Sequence, residues 1–199
     1  VPPIIRFIVN LLAVVLLLAL SGCQTAMTTS QKPETLTAVP NEWPLRFEKH
    51  SFSAHCYDTT GCKVLYATEY LVMDDDDKTR PSSASIGKNY RDGWSGGYLG
   101  IRNFPAPAVV TWKSKDGVSH AANIDIGEIF KDQMILHRVK AEEIPEGASI
   151  ASPEIILEVN DRNVNVYMKA YIPLKEPRIP GNQYSTHANE LMLAYSRTY

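Results

Sequence analysis

Three groupings of side chains have types and spacing suited to chemistry: a cysteine pair, an acidic run and a scatter of histidines. Cys56 and Cys62 lie in His55-Cys56-Tyr57-Asp58-Thr59-Thr60-Gly61-Cys62-Lys63. Asp-Thr-Thr-Gly is turn chemistry between two β-rich runs, so a hairpin is expected here. A hairpin of that length brings two Cβ atoms near enough to bridge as a disulfide. The rival chemistry is a metal site shared with His50 and His55, which lacks a second Cys/His pair at ligand spacing. Asp74, Asp75, Asp76 and Asp77 form the densest charge in the chain. Neighbouring carboxylates repel one another and favour water. A calcium loop needs spaced ligands and a glycine at its tight turn, and this run has neither. It reads as a solvated or partner-binding loop. Asp74 to Lys78 also matches the recognition sequence of enteropeptidase. The histidines at 50, 55, 120, 137 and 187 include no pair at the i, i+4 spacing of a helical metal site. Serine, histidine and aspartate occur in no recognised nucleophile context. GxxxxGK[ST], HExxH, GxSxG and the Rossmann glycine fingerprint are absent. The expectation is a non-enzyme without cofactor or metal.

The third cysteine belongs to a different chemistry. Arg6 is the only charge before Cys23, and an apolar run from Phe7 to Leu20 is broken only by Asn10. A spanning helix needs about 20 apolar residues; this run is shorter and ends in Leu20-Ser21-Gly22-Cys23, the small-residue ending of a signal peptide. That ending resembles a bacterial lipobox, which implies cleavage before Cys23 and lipid on its thiol. Several acyl chains on one residue make a stable anchor. Gln24 in the next position resembles the sorting pattern for the outer membrane, so the expected location is the periplasm, lipid-anchored to that membrane.

The elements that must position these groups follow from pattern. Residues 1–22 read as the signal, 23–44 as a flexible Thr-, Ser-, Gln- and Pro-rich tether, and 45–199 as one domain long enough for a real core. The chain has 20 Lys and Arg against 22 Asp and Glu, and loss of the signal removes only Arg6. No basic patch suggests nucleic acid.

Runs at 48–57 and 62–72 flank the cysteine turn. Ser114-Lys115-Asp116-Gly117 joins strands at 108–113 and 118–125. The run 154–159 leads through Asn160-Asp161-Arg162-Asn163 to 163–172, where Val164, Val166, Met168, Ala170 and Ile172 point one way and Asn163, Asn165, Tyr167, Lys169 and Tyr171 the other. That period of two is a half-buried strand, typical of antiparallel sheets. Helices are expected at Ile126–Asp132, capped by Asp125, and near 186–194, capped by Thr186, with Tyr195–Tyr199 as an alternative last strand. The fold class is all-β, mainly antiparallel: a two-sheet sandwich with one or two short helices. Two long irregular stretches, 73–93 and 173–187, are expected to carry function. Trp94 and Tyr98, set among glycines just beyond the first stretch, offer either interface anchors or a core tryptophan beside a bulge. With Asp74–Asp77 they make the candidate partner-binding site.

The segments "HCYDTTGCKVLY", "IRNFPAPAVVTWKSKDG", "IDIGEIF", "ILEVNDRNVNVYMKAYIP" and the Pro-Gly-Asn before a terminal "RTY" resemble lipoproteins encoded beside type VI secretion phospholipase effectors. The resemblance covers most of residues 48–199 and implies a non-enzymatic immunity protein, whose partner is the cognate lipase effector. It transfers no site residues. Other classes remain open: an envelope assembly lipoprotein that binds a resident protein, or a small-ligand or metal carrier.

Overall fold

The computed structural model describes residues 43–199. The expected signal 1–22, the lipidation site Cys23 and nearly all of the tether lie outside the described residues. Within them no helix is long and apolar enough to cross a membrane.

Among the described residues eleven strands are present: β1 (Lys49–Tyr57), β2 (Thr59–Tyr66), β3 (Glu69–Met73), β4 (Tyr98–Arg102), β5 (Ala108–Ser114), β6 (Ser119–Ile124), β7 (Glu154–Asn160), β8 (Asn163–Lys169), β9 (Ile172–Pro173), β10 (His187–Ala188) and β11 (Leu191–Thr198). Five form one sheet in the order β11-β8-β7-β1-β4, and four form a second in the order β3-β2-β5-β6. Pairing is antiparallel except between β1 and β7, which run parallel. The fold is therefore the expected all-β sandwich.

Alternation explains the core. Val164, Val166 and Met168 of β8 meet Phe52 and Cys56 of β1, Ile155, Leu157 and Val159 of β7, Val64 and Tyr66 of β2, and Val110 and Trp112 of β5. Burying each large apolar side chain contributes about 1.5–3 kcal/mol. The Asp-Gly turn gives the expected β5–β6 hairpin, with Gly117 at φ 85°.

The cysteine segment departs from expectation. β1 and β2 are not a hairpin; they belong to different sheets. Asp58, at φ 51°, turns the chain through a corner from one sheet to the other. The Cys56–Cys62 disulfide is present, with Cα atoms 6.6 Å apart, and joins the two sheets across that corner. Turn chemistry is the same for a hairpin and a corner, so local sequence does not separate them. The run 62–72 is likewise broken: Ala67 and Thr68 both take positive φ and turn β2 into β3. That two-residue turn lacks the usual Asn-Gly signature.

The helix expected near 186–194 is instead β10 and the first half of β11. Val164 to Met168 of β8 need an antiparallel neighbour, and β11 supplies it from Leu191 to Thr198. Helix α1 (Ser83–Ile86) is one turn inside the first irregular stretch, with Ser82 capping it. Helix α2 (Ile126–Ile129) is one turn as well, and the Asp125 side chain accepts from the Glu128 N–H as expected.

The sandwich has two ends. At the corner end lie Tyr57, Thr59, Ser114 and Asn160; at the other lie Lys49, Ala108, Lys169 and Leu191. The described chain enters at the second end, where the Leu45 carbonyl accepts from the Ile135 N–H.

Candidate partner-binding surface

The acidic run divides. After β3 the chain doubles back beside β2, with the Asp74 N–H donating to the Cys62 carbonyl and the Gly61 N–H to the Lys78 carbonyl. Gly61, at φ +61°, lets the backbone pass; a Cβ there would stand 3.1 Å from the Asp76 carbonyl oxygen. Asp74 is buried, and the Arg80 guanidinium donates two bonds to its carboxylate, at 2.6 and 2.7 Å. This corrects the reading of four solvated carboxylates: Asp74 is a structural ion-pair partner and unfit for binding. Its hydrogen bond to Asp74, outweighing partial burial, raises the pKa of Arg80 further.

Asp75, Asp76 and Asp77 remain exposed. Lys63 donates to Asp76 at 2.7 Å, and that bond holds the Asp76 carboxyl below its ordinary value. Register then places apolar side chains beside the acids. Leu65 of β2 pairs with Tyr70 of β3 and Val109 of β5, and Lys63 pairs with Met73 and Thr111. These residues point away from the core: Tyr70 is 53%, Met73 70% and Val109 43% exposed. The outward face of the four-stranded sheet therefore carries an apolar strip with acids at its corner end. Sequence reading missed Tyr70, Met73 and Val109. Their signal was the alternation in β5 and β3, hidden in β3 by a bulge at Leu71.

Trp94 is also corrected. It is 4% exposed and packs with Tyr57, Ile156 and Tyr167. It cannot anchor a partner. His55 stacks flat on its ring at 4.7 Å, and its indole N–H donates to the Tyr57 hydroxyl at 3.1 Å. Gly96 lies so close to β1 that a Cβ there would overlap Ser51 Oγ. The stretch from α1 to Gly97 is thus a strap across the outward face of the five-stranded sheet. Tyr98 begins β4, at an edge of that sheet, and is 37% exposed. The structure does not bring it to the acids: β4 pairs with β1, in the other sheet.

Beneath the strap is a fully buried carboxylate. Glu158 accepts from the Tyr90 hydroxyl at 2.6 Å, Arg91 at 2.9 Å, and Asn165 and the Tyr167 hydroxyl at 3.0 Å each. Burial alone would raise its pKa. The bonds from Tyr90 and Asn165 and the Arg91 charge outweigh burial and hold it below the ordinary value. Burial and the neighbouring carboxylate push the Tyr90 hydroxyl up to about 12. The saturated donor set makes Glu158 a rivet for the strap.

Two arrangements resemble catalytic or metal sites. Ser114 Oγ lies 2.5 Å from Asp116 Oδ1 and 2.9 Å from His120 Nε2. The hydroxyl donates to Asp116, and that carboxylate accepts from the serine and the Val118 N–H, so it does not orient His120 as the aspartate of a Ser-His-Asp relay does. His50 and His55 sit on opposite faces of β1: His50 is in the core, bonded to Asn103 and Tyr66, and His55 lies under the strap. They cannot share an ion. Among the described residues no cluster of three or more His, Cys, Asp or Glu is arranged to hold a metal.

No known protein family, curated protein or solved structure matches this chain.

Proposed function

We propose that this chain is a periplasm-facing immunity lipoprotein that binds and neutralises a phospholipase effector of type VI secretion. The observation that carries the reading is the exposed face where Asp75, Asp76 and Asp77 border Tyr70, Met73 and Val109. Acids at the border steer a basic partner and raise its association rate. Desolvated aromatic and apolar side chains then slow its release. A rigid, disulfide-joined sandwich presents this face without reordering, which lowers the cost of binding. The lipobox-like Leu20-Ser21-Gly22-Cys23 supports anchorage at the surface such a toxin attacks, and the resemblance of the β-strand segments supports the partner's class.

The test is co-purification with the lipase encoded by the neighbouring gene, together with sibling competition. Deleting the chain should make cells sensitive to siblings only when the secretion system fires. Unchanged survival in that competition would sink the reading. A growth or permeability defect in monoculture would point instead to envelope assembly. Replacing Asp75, Asp76 and Asp77 with asparagine should slow association roughly tenfold at low salt and flatten its salt dependence.

A further inference from the structure

Segment 87–97 of the strap belongs to no strand, so side chains and a few turn bonds are what fasten it. Tyr90 and Arg91 hold Glu158, and the Lys169 ammonium donates to the Trp94 carbonyl at 2.8 Å. The Trp94 ring covers His55, the two rings within 3° of parallel. Glycines stand at both ends, Gly87 and Gly97, and a Cβ at either would meet nothing. Such positions let a segment pivot.

His55 is the fastening whose charge changes near neutral pH. Its Nε2 is buried and has no hydrogen-bond partner among the described residues. A neutral ring can carry its proton on Nδ1 and leave Nε2 a bare lone pair. A second proton must go onto Nε2, where nothing accepts it and the loss of water is uncompensated.

The surrounding groups do not relieve that cost. Glu158 stands across from His55 in the β1–β7 pair. Its carboxylate is already taken by Tyr90, Arg91, Asn165 and Tyr167. Arg80 adds a like charge, and the Arg91 guanidinium lies over the Trp94 ring at 5.7 Å. Tyr57 of β1, Tyr90 of the strap and Tyr167 of β8 face the same layer as neutral hydroxyls. Glu154 and Lys169 are register partners further along β7 and β8. β4 pairs with β1 only as far as Phe52. Burial therefore outweighs the attraction of Glu158, and the covered ring favours its neutral form.

We propose that the strap is an acid-opened latch: a proton on His55 releases Trp94 and lifts segment 87–97 from the sheet. Opening brings water to Nε2 and uncovers Tyr57, Ile156 and Tyr167. The β1, β7 and β8 ladders are backbone bonds and remain, so the change is local. The latch does not depend on the function proposed above.

Hydrogen exchange of the full chain, at roughly pH 7.5 and 5.5 and corrected for the pH dependence of exchange itself, is the test. The amides of Tyr90, Asp92 and Trp94, which donate within the strap, report its opening, and those of β7 and β8 report the sheet. A histidine regaining its ordinary value of 6.5 in the open strap raises opening by about tenfold over that range. The β7 and β8 amides should not change. His55→Phe keeps a ring against Trp94 and takes no proton, so its strap should exchange alike at both pH values. A rise below about twofold in wild type, a rise shared by β7 and β8, or an equal rise in His55→Phe overturns the latch. Thermal unfolding checks that the variant is folded. NMR titration of the His55 ring in wild type needs no variant: its midpoint should lie below 6.5, and a midpoint at or above 6.5 overturns the latch as well.

Discussion

Residues 74–97 and 172–188 are alike in sequence: each is long, rich in polar and turn-forming residues, and free of regular pattern. In the molecule the first turns its chemistry inward and the second outward. The strap gives Tyr90 and Arg91 to Glu158, and Trp94 to Tyr57 and Tyr167, and in the turn before it Asp74 is buried against Arg80. The second, an arm, spends its bonds on its own turn and leaves Tyr184 and Ile179 in solvent. The difference lies in what each segment passes over. The five-stranded sheet presents Glu158, Tyr57 and Tyr167 outward, an acid with two aromatics that only a basic and aromatic segment can cover. Aromatic and charged residues in a long loop are therefore no guide to binding until the surface beneath is known.

The contrast can be broken most directly at Trp94. Trp94→Ala should cost about 3–5 kcal/mol in urea unfolding, because it empties the cluster beneath the strap. A loss under 1 kcal/mol would mean the strap is not fastened there. Glu158→Ala should cost about 3 kcal/mol by the same measurement, since it strands Arg91 and the hydroxyls of Tyr90 and Tyr167. The Cys56–Cys62 bridge closes a short loop and should contribute about 2 kcal/mol, read as the shift in unfolding between oxidised and reduced protein.

A pH titration of stability sharpens the same contrast. Burial lowers the pKa of His50 and of His55, and its bonds lower that of Glu158. All three have folded values depressed below their ordinary ones. Each contribution is therefore complete above the ordinary value and lost as pH falls through the folded one. Stability should begin to fall below about pH 6.5 through the histidines, and again below 4.5 through Glu158. His55→Gln should flatten the first phase, and an unchanged profile would contradict a neutral His55 beneath Trp94. The smallest effect belongs to the arm: Tyr184→Ala should leave stability within about 0.5 kcal/mol of wild type. A larger loss would show that the tip packs where the structure leaves it exposed.

Legibility followed the range of the interactions. The alternation of Val164, Val166 and Met168 and the Asp116-Gly117 hairpin are local, and both stood as read. The disulfide was legible because its cysteines stand only six positions apart. The corner at Asp58 was not, since choosing a sheet for β2 depends on β5, far along the chain. Asp74 looked like its neighbours because only the folded turn brings Arg80 to it. In sequence Trp94 suits either an anchor or a core position, and its fate is decided by Tyr57 and Tyr167, which sequence does not place beside it. Tyr70 escaped notice because the bulge at Leu71 breaks the alternation that would have marked its face.

The parallel pairing of β1 with β7 sets an order of assembly. Ser51 to Tyr57 find their partners at Glu154 to Asn160, about 100 residues later. A loop of that length closes slowly, because the entropy of bringing its ends together must be met before any ladder bond forms. A chain delivered from its N-terminus must therefore hold β1 with one side open while β2, β3, β5 and β6 assemble among themselves. β4, at 98–102, is the first strand to cover it. Until β7 arrives, the free edge of β1 is the part of the nascent domain most open to mispairing with another chain.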